Sequence, residues 1–312
     1  MDHRHYDYSA LPARGGRRWA QGGWVAAYAV LFLEHWEFLP PEGVVRDPRL
    51  VGEFGSFHPD YRSWTQREYG LRLGIFRVIE ALREAGIRPC IAANAMAVER
   101  LPGLVRTFQD WGCEWIGHGI SATRILHSRM PREEQARYIA QSLDAIERAT
   151  GRRPVGWIGQ DWGTTPDSFE LLAQAGIRCC LDLPNDEQPY WLNTTPPVLA
   201  IPYSAEWDDV QCQWLRFIEP RAHAQLACDA LGRIAQDCER QSRPAVFNVA
   251  VHPWVSGMPS RIRAFREMLA GLRGVAGVWW TSPSEIAREW ESEEQPNAKD
   301  AKGREERKRD QA

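Results

Sequence analysis

The stretch VAAYAVLFLE, residues 25–34, joins a nearly continuous apolar run to a carboxylate at its end. An apolar run of this length without alternation is typical of a strand that is buried on both faces, as in a parallel sheet. Seven further β-rich runs follow it along the chain. They are RPCIAAN (88–94), CEWIGHG (113–119), PVGWIGQD (154–161), RCCLDL (178–183), VLAIPYS (198–204), AVFNVAVHP (245–253) and GVWWTSP (277–283).

Helical segments lie between several of these strands and carry their own start and stop signals. Residues 65–86 open with Thr65 and Glu68, which have the spacing of a capping box, and they end at Gly86. Residues 131–151 begin with a proline and acidic residues and end at a glycine. Strands that alternate with helices at this spacing predict parallel pairing through right-handed crossovers. The predicted fold class is therefore α/β, a single distorted (β/α) barrel with seven to eight parallel strands.

The composition is that of an ordinary globular protein. The 312 residues are 44% hydrophobic and 25% charged, with a formal net charge of −3. A nucleic-acid partner is not expected, because nucleic-acid-binding domains usually carry a basic face. We expect three regions: an N-terminal arm over residues 1–20, the barrel over 21–290, and a disordered charged tail over 291–312.

The cysteines and the N-terminal residues indicate the cellular compartment. Seven cysteines are an odd number, and no C-x-x-C pair is present, so neither a disulfide framework nor a zinc ribbon is indicated. The first residues lack the apolar centre of a signal peptide, and no apolar stretch reaches the length of a membrane span. These features predict a cytoplasmic protein with reduced thiols and no membrane partner.

Polar residues follow the predicted strands at the point where each strand ends. Glu34, His118 and His252 are the strongest candidates among them, together with Asn94, Gln160, Asp182 and Glu206. The carboxyl ends of parallel barrel strands meet at one mouth, where enzymes of this architecture place their active sites. Glu34 has the character of a general base, with a structural ion pair as the alternative. His118 lies between glycines, which allow a ligand to approach closely. For His252, the alternative is a packed histidine satisfied by the backbone.

Other polar positions leave more than one interpretation open. His35 follows Glu34 and points to the opposite side of the strand, so we expect it to pack. Asp186 lies among turn-forming residues and could be a capping residue, and Glu206 could hold a turn. Residues 42–61 form a long loop after the first strand, which could cover the mouth and contribute His58.

Several segments together resemble one known family. They are LEHWEF (33–38), REYGLRLGIFRVIEALREAGI (67–87), GRRPVGWIGQDWGTTPDSFELLAQAGI (151–177), LDLPNDEQPYW (181–191), IPYSAEWDD (201–209) and VHPWVSGMPSRIRAFREML (251–269). On these residues the chain resembles the polysaccharide deacetylase (NodB-type) superfamily, and within it the branch of allantoinase-like enzymes and cyclic imidases. The resemblance covers roughly residues 24–290 and implies a distorted (β/α) barrel, in agreement with the strand pattern.

The resemblance also implies roles for individual residues. Metal-dependent members use two aspartates after the first strand, a His-x-x-x-His pair after the third, and a late histidine as general acid. In this chain Glu34 matches the base, His35 the ligand aspartate, His118 the first ligand histidine and His252 the late histidine. Ala122 occupies the position of the second ligand histidine. The Arg-Pro-Tyr signature after the fourth strand is replaced by IGQD. A catalytic zinc ion normally needs three protein ligands, so we expect a site without a metal cofactor, with zinc as the less favoured option.

The predicted function is hydrolysis of a non-peptide C–N bond, with the ring opening of a small cyclic amide, imide or ureide as the favoured reaction. Glu34, His118 and His252 would be catalytic, and whether Glu34 or His118 is the base stays open. The predicted substrate-binding residues are Asp186, Gln188, Glu206, Trp157, Tyr190 and Trp191. One alternative is an N-deacetylase of a sugar or peptidoglycan fragment with an atypical metal site. Another is an inactive barrel that acts as a binding module. The resemblance further implies a homo-oligomer.

Overall fold

A computed structural model describes residues 2–19, 22–44 and 59–292. Most of the loop expected to cover the mouth, residues 45–58 with His58, lies outside the described residues. The predicted charged tail lies outside them from residue 293 onward. In the described part of the chain, no helix is long and apolar enough to cross a membrane.

Within the described ranges, nine strands form one curled sheet. Its order is β6-β7-β5-β4-β3-β2-β1-β8, with β9 also paired to β1, and every pair is parallel except β6 with β7. The strands are β1 (Val25–Leu33), β2 (Cys90–Ala93), β3 (Glu114–Gly117), β4 (Gly156–Trp157), β5 (Cys179–Cys180), β6 (Tyr190–Leu192), β7 (Val198–Ala200), β8 (Ala245–Val251) and β9 (Val278–Trp280).

The first strand is the centre of this sheet, as its sequence predicts. All nine residues of β1 are buried, and β1 pairs with β2, β8 and β9. No strand pair joins β7 to β8 among the described residues, but the Asn248 side chain bridges that gap by hydrogen bonds to both backbone groups of Ser204. The sheet is thus a partly closed barrel, and the predicted fold class is confirmed.

Helices cover the outside of the sheet. They are α1 (Tyr61–Tyr69), α2 (Ile75–Glu84), α3 (Ala95–Arg100), α4 (Pro102–Asp110), α5 (Arg132–Thr150), α6 (Ser168–Gln174), α7 (Pro220–Gln241), α8 (Pro253–Ser256) and α9 (Ile262–Arg273). A large apolar layer between helices and sheet includes Leu31, Leu82 and Phe247. A second cluster, which includes Tyr28, Phe32 and Ile201, fills the inside of the curl. Burying each such side chain contributes about 1.5–3 kcal/mol.

The helix expected from Thr65 to Gly86 differs from the prediction in two ways. It begins earlier, at Tyr61, where the Asp60 carboxylate caps the Ser63 N–H, and the Thr65 hydroxyl instead donates to the Tyr61 carbonyl. The Thr65 capping box is therefore wrong, because an aspartate nearer the loop takes the capping position.

The second difference is a π-helical turn at Gly70–Gly74, between α1 and α2. A Cβ atom at Gly70 would lie 2.5 Å from the Trp254 nitrogen, and one at Gly74 would lie 2.2 Å from the Pro253 oxygen. The two glycines therefore let α8 pack directly against this turn. Since α8 follows His252, this contact helps to fix the end of β8 where that histidine lies.

Candidate active site

Glu34 follows β1 at the carboxyl edge of the sheet and is buried, with 6% exposure. Its Oε1 accepts a hydrogen bond from Gln160 Nε2 at 2.8 Å and faces His118 Nε2 at 3.4 Å. Burial raises the pKa of this carboxyl, but the hydrogen bond from His118 and the charge of His252 outweigh burial and lower the pKa to about 2. Glu34 is therefore ionised at neutral pH.

His118 follows β3 and is held in a fixed orientation. Its Nδ1 lies 2.7 Å from the Ile158 carbonyl oxygen, which can only accept, so Nδ1 carries a proton. Nε2 is consequently the nitrogen that faces Glu34. A proton on this nitrogen makes the pair an ion pair across 3.4 Å. The arrangement places an imidazole beside the carboxylate, ready to polarise a bound carbonyl group.

His252 follows β8 and forms a dyad with a carboxylate. Its Nδ1 lies 2.6 Å from Asp209 Oδ1, and its ring stacks on Phe32 at 4.0 Å between centroids. Burial lowers the pKa of His252, but the charges of Asp209, Asp208 and Glu34 outweigh it and raise the pKa to about 9. His252 is thus protonated at neutral pH. Its Nε2 makes no hydrogen bond to any described residue and is available as an acid.

These groups line one small cavity, which we call the mouth cavity. It is bordered by Glu34, His118, Gln160, Asp208, His252 and the rings of four aromatic residues, Phe32, Trp36, Trp162 and Trp254. Its volume is about 50 Å³. The structure therefore brings together the three residues predicted to be catalytic, and it surrounds them with aromatic side chains.

Three residues at this site were not among the sequence predictions. Asp208 and Asp209 form the acidic end of EWDD, where the sequence analysis favoured Glu206 instead. Arg67 is 2% exposed, and its guanidinium carbon lies 3.9 Å from the Trp254 ring centroid and 4.8 Å from that of Trp36. Burial lowers the pKa of Arg67 to about 10, against the opposing charge of Glu34, so it stays cationic. The sequence could have indicated Asp208 and Asp209, because they are two adjacent aspartates before a helical turn. The tryptophan rings around Arg67 come from residues far apart in sequence, so the sequence did not indicate them.

Glu206 was predicted to bind substrate, but the structure places it elsewhere. It is exposed, and its carboxylate pairs with Arg216 at 3.1 Å. Trp157 is also misplaced: it is fully buried and packs over Gly117, where a Cβ atom would lie 2.7 Å from its ring. The prediction that both residues border the mouth was wrong. The turn after β7 points Glu206 outward, and β4 points Trp157 toward the helices.

Asp186, Gln188, Tyr190 and Trp191 lie together, but around a different cavity that the N-terminal arm covers. Asp186 forms a two-pronged ion pair with Arg14, at 2.7 and 2.6 Å. Gln188 Nε2 donates to the carbonyl of Pro244, which precedes β8. β8 has seven residues, which span about 20 Å at roughly 3.3 Å each, so this cavity is far from His252 at the other end of the strand. The prediction that these residues share a mouth with Glu34 was wrong, because antiparallel β6 turns the chain back.

Comparisons with known proteins show what the chain is similar to. No model of a known protein family matches the chain. A Schizosaccharomyces pombe protein named "putative polysaccharide deacetylase" is 25% identical over 243 residues, 72% of this chain and 74% of that protein. A Helicobacter pylori peptidoglycan deacetylase is 22% identical over 244 residues, 69% of this chain and 83% of its own. The crystal structure of a probable polysaccharide deacetylase from Pseudomonas aeruginosa superposes with a TM-score of 0.78 at 22% identity, covering 90% of this chain and 95% of the other.

The chain is thus similar in sequence to proteins named as polysaccharide and peptidoglycan deacetylases, and it shares the fold of a probable polysaccharide deacetylase. The crystal structure of an allantoinase shares its fold as well, with a TM-score of 0.75 at 23% identity over 92% of this chain and 98% of the other. Deacetylases cleave a carbon–nitrogen bond, so the named relatives are C–N hydrolases. The resemblance stated from the sequence is confirmed at this level.

The residues that match the metal ligands of metal-dependent deacetylases do not suit a metal ion in this chain. Ala122 offers no ligand atom, and its N–H donates to the His35 carbonyl. Burial and the charge of Arg100 lower the pKa of His35, which is not among the residues that border the mouth cavity. Glu37 is occupied by hydrogen bonds from Ser121, Thr123 and Arg124. Glu34 and His118 remain, which is fewer than the three protein ligands of a catalytic zinc site.

A second group of metal-type side chains lies close together among the described residues. Ligand atoms of Asp208, Asp209 and His252 lie within 4.8 Å of one another. Hydrogen-bond donors already occupy these oxygens, however. Asp208 accepts from Tyr203 and Gln211, and Asp209 accepts from Ser256 and from both the backbone and the ring of His252. These contacts join Asp209 and His252 in a hydrogen-bonded histidine–carboxylate dyad, with Asp208 beside it.

Proposed function

We propose that this protein hydrolyses a C–N bond of a small cyclic amide, imide or ureide, with Glu34, His118 and His252 as its catalytic residues and no metal at the superfamily position. The observation that carries the proposal is the mouth cavity, where an ionised carboxylate and a protonated histidine dyad lie across one small space. This is the pairing of base and acid that hydrolysis of an amide requires.

Glu34 is the proposed base. Its carboxylate takes a proton from a water molecule, whose oxygen then forms a bond to the substrate carbonyl carbon. A carboxyl with a pKa near 2 is a weak base, so this step needs an electrophilic carbonyl. A cyclic imide or ureide offers one, because a second carbonyl makes its ring nitrogen a better leaving group. His118 and the cationic Arg67 nearby favour the negative charge that develops on the carbonyl oxygen.

His252 is the proposed acid. Asp209 holds its Nδ1, which directs the proton on Nε2 toward the cavity. As the ring C–N bond breaks, this proton passes to the leaving nitrogen. The products are a carboxyl group and a free amine, amide or urea nitrogen on the same opened chain. Glu34 then releases its proton to solvent, and His252 takes a proton back from solvent.

The size of the cavity favours a small substrate. Its volume of about 50 Å³ is well below the roughly 300–1,000 Å³ of pockets that hold drug-sized ligands. The aromatic rings that border it provide flat apolar walls for a planar ring. The structural likeness to an allantoinase also supports a cyclic substrate.

A second candidate function is N-deacetylation of a sugar or peptidoglycan fragment. The names of the two curated relatives favour it. It requires attack on an unactivated acetamide, for which the superfamily position in this chain offers too few metal ligands.

The deciding experiment is a hydrolysis assay on chelator-treated protein. The panel contains succinimide, dihydrouracil, hydantoin and allantoin, with an N-acetylglucosamine oligomer as the comparison substrate. We expect turnover of at least one ring without added metal, and no release of acetate. Activity that returns only with zinc, or acetate release alone, would establish the deacetylase function instead.

A further inference from the structure

Two buried amide side chains connect the backbone beside Glu34 to the Glu34 carboxylate. Asn94 is fully buried, and Gln160 is 6% exposed. The backbone N–H of His35 can only donate, and its acceptor is Asn94 Oδ1 at 3.1 Å. This contact fixes the orientation of the Asn94 amide, so that Nδ2 faces the His118 carbonyl at 2.5 Å and Gln160 Oε1 at 3.4 Å.

The orientation of Gln160 follows from that of Asn94. Since Gln160 Oε1 faces the Asn94 donor, its Nε2 faces Glu34 Oε1, at 2.8 Å. The hydrogen bonds therefore all run in one direction, from the His35 N–H through Asn94 and Gln160 to Glu34. Hydrogen bonds that are aligned in this way polarise and strengthen one another in a buried environment.

The two oxygens of the Glu34 carboxylate have different hydrogen bonds. Oε1 receives Gln160 and faces His118, whereas Oε2 makes no hydrogen bond to any described residue. On the basis of the proposed function, we propose that Asn94 and Gln160 are positioning residues, which hold Oε1 and leave Oε2 as the atom that takes the proton from water.

The backbone around Gln160 supports a positioning role. The next two residues, Asp161 and Trp162, have φ angles of 50° and 51°, a left-handed conformation that is uncommon for residues other than glycine. The turn is held on both sides: the Gly159 N–H donates to Asp182 at 2.6 Å, and the Gly163 N–H donates to the Gln160 carbonyl at 2.9 Å. Strained residues that surrounding contacts hold in place are concentrated at functional sites.

The test compares Gln160→Leu with wild type on the ring substrate identified in the chelator assay. We expect kcat to fall roughly 10- to 100-fold, the size of effect that hydrogen bonds to charged groups produce, with little change in KM. The acid limb of the kcat/KM profile should move to higher pH, because the carboxylate loses a donor that lowers its pKa. The matched control is Gln135→Leu, another buried glutamine, which bonds Thr165 and Met130 away from the site. It should leave that limb unchanged.

A second variant keeps the shape of the side chain and guards against misfolding. Gln160→Glu has nearly the same volume but donates only when protonated, so two carboxyls must share a proton. We expect its activity to be higher at acidic pH than at neutral pH. Asn94→Asp removes the donor that orients Gln160, and its effect should be far from additive with Gln160→Leu, as for residues in one network.

The outcomes separate this inference from the proposed function. If Glu34→Gln remains active, the proposed function is wrong. If Glu34→Gln is inactive while Gln160→Leu and Gln160→Glu keep the wild-type acid limb, the proposed function stands and the positioning role is overturned. Additive effects of the Asn94 and Gln160 substitutions would likewise show that the two amides do not act as one chain.

Discussion

Two cavities of the barrel, the one under the N-terminal arm and the mouth cavity, differ in size and in chemistry, and the smaller of these two is the candidate active site. The cavity under the N-terminal arm has a volume of about 810 Å³ and is bordered by Arg14, Asp186 and Tyr190, whereas the mouth cavity has about 50 Å³. In the arm cavity the charges of Arg14 and Asp186 neutralise each other. In the mouth cavity the Glu34 carboxylate and the His252 imidazolium both border the space, and no contact joins them directly among the described residues. The arrangement of charges, and not the volume of the cavity, is therefore what makes the mouth cavity the candidate active site.

The largest effect should come from the base. Glu34→Gln keeps the size of the side chain but removes the carboxylate that accepts the proton. We expect ring-opening activity to fall by about 10³-fold or more, within the range for loss of a general base. Steady-state kinetics measure it, and the melting temperature checks the fold. An active Glu34→Gln variant would overturn the proposed function.

A smaller effect on activity should come from Asp209, whose carboxylate contacts His252 Nδ1. Asp209→Asn removes the negative charge that contributes most to raising the pKa of His252 to about 9. The histidine of the variant therefore loses its proton at lower pH. For wild type we expect kcat/KM to be level at neutral pH and to fall as pH rises through about 9. In the variant this decline should begin closer to 6.5, with activity at pH 8 down by about 10²-fold.

The same pair makes stability depend on pH. The pKa of His252 is raised in the folded protein, so its contribution is complete below about 6.5 and disappears as pH rises through about 9. We expect the free energy of unfolding of wild type to decrease over that window, by up to roughly 3 kcal/mol. Asp209→Asn should show a much weaker decrease. Urea titrations at pH 6, 8 and 10 compare the two, and equal slopes with pH would contradict the role given to this dyad.

The smallest effect on activity should come from the arm cavity. Asp186→Asn breaks the ion pair with Arg14, whose side chain is 20% exposed, so we expect a loss of about 1–3 kcal/mol in stability. Ring-opening kinetics should stay within about twofold of wild type, because the site is at the other end of β8. A loss of substrate binding in this variant would show that Asp186 belongs to the active site, and the two cavities would then not be functionally distinct.

Much of the arrangement of the candidate site could be predicted from the sequence alone. Apolar strands that end in Glu34, His118 and His252 predicted a shared mouth, because parallel strands bring their carboxyl ends to one edge. The substrate-binding residues could not be predicted in the same way. That inference treated the segment around Asp186 as a loop at the mouth, and only an antiparallel pairing between β6 and β7 shows that the chain turns back there.

The sequence by itself determined the barrel and the three catalytic candidates, because both depend on local properties: an apolar run, and the residue type at its end. Tertiary structure alone decided which partner each group has. The Asp209 contact with His252, the tryptophans around Arg67, and the amides that lead to Glu34 join residues from separate strands and loops. Such contacts depend on how the sheet curls and how helices pack, and charges and pKa values follow from those contacts rather than from position in the chain.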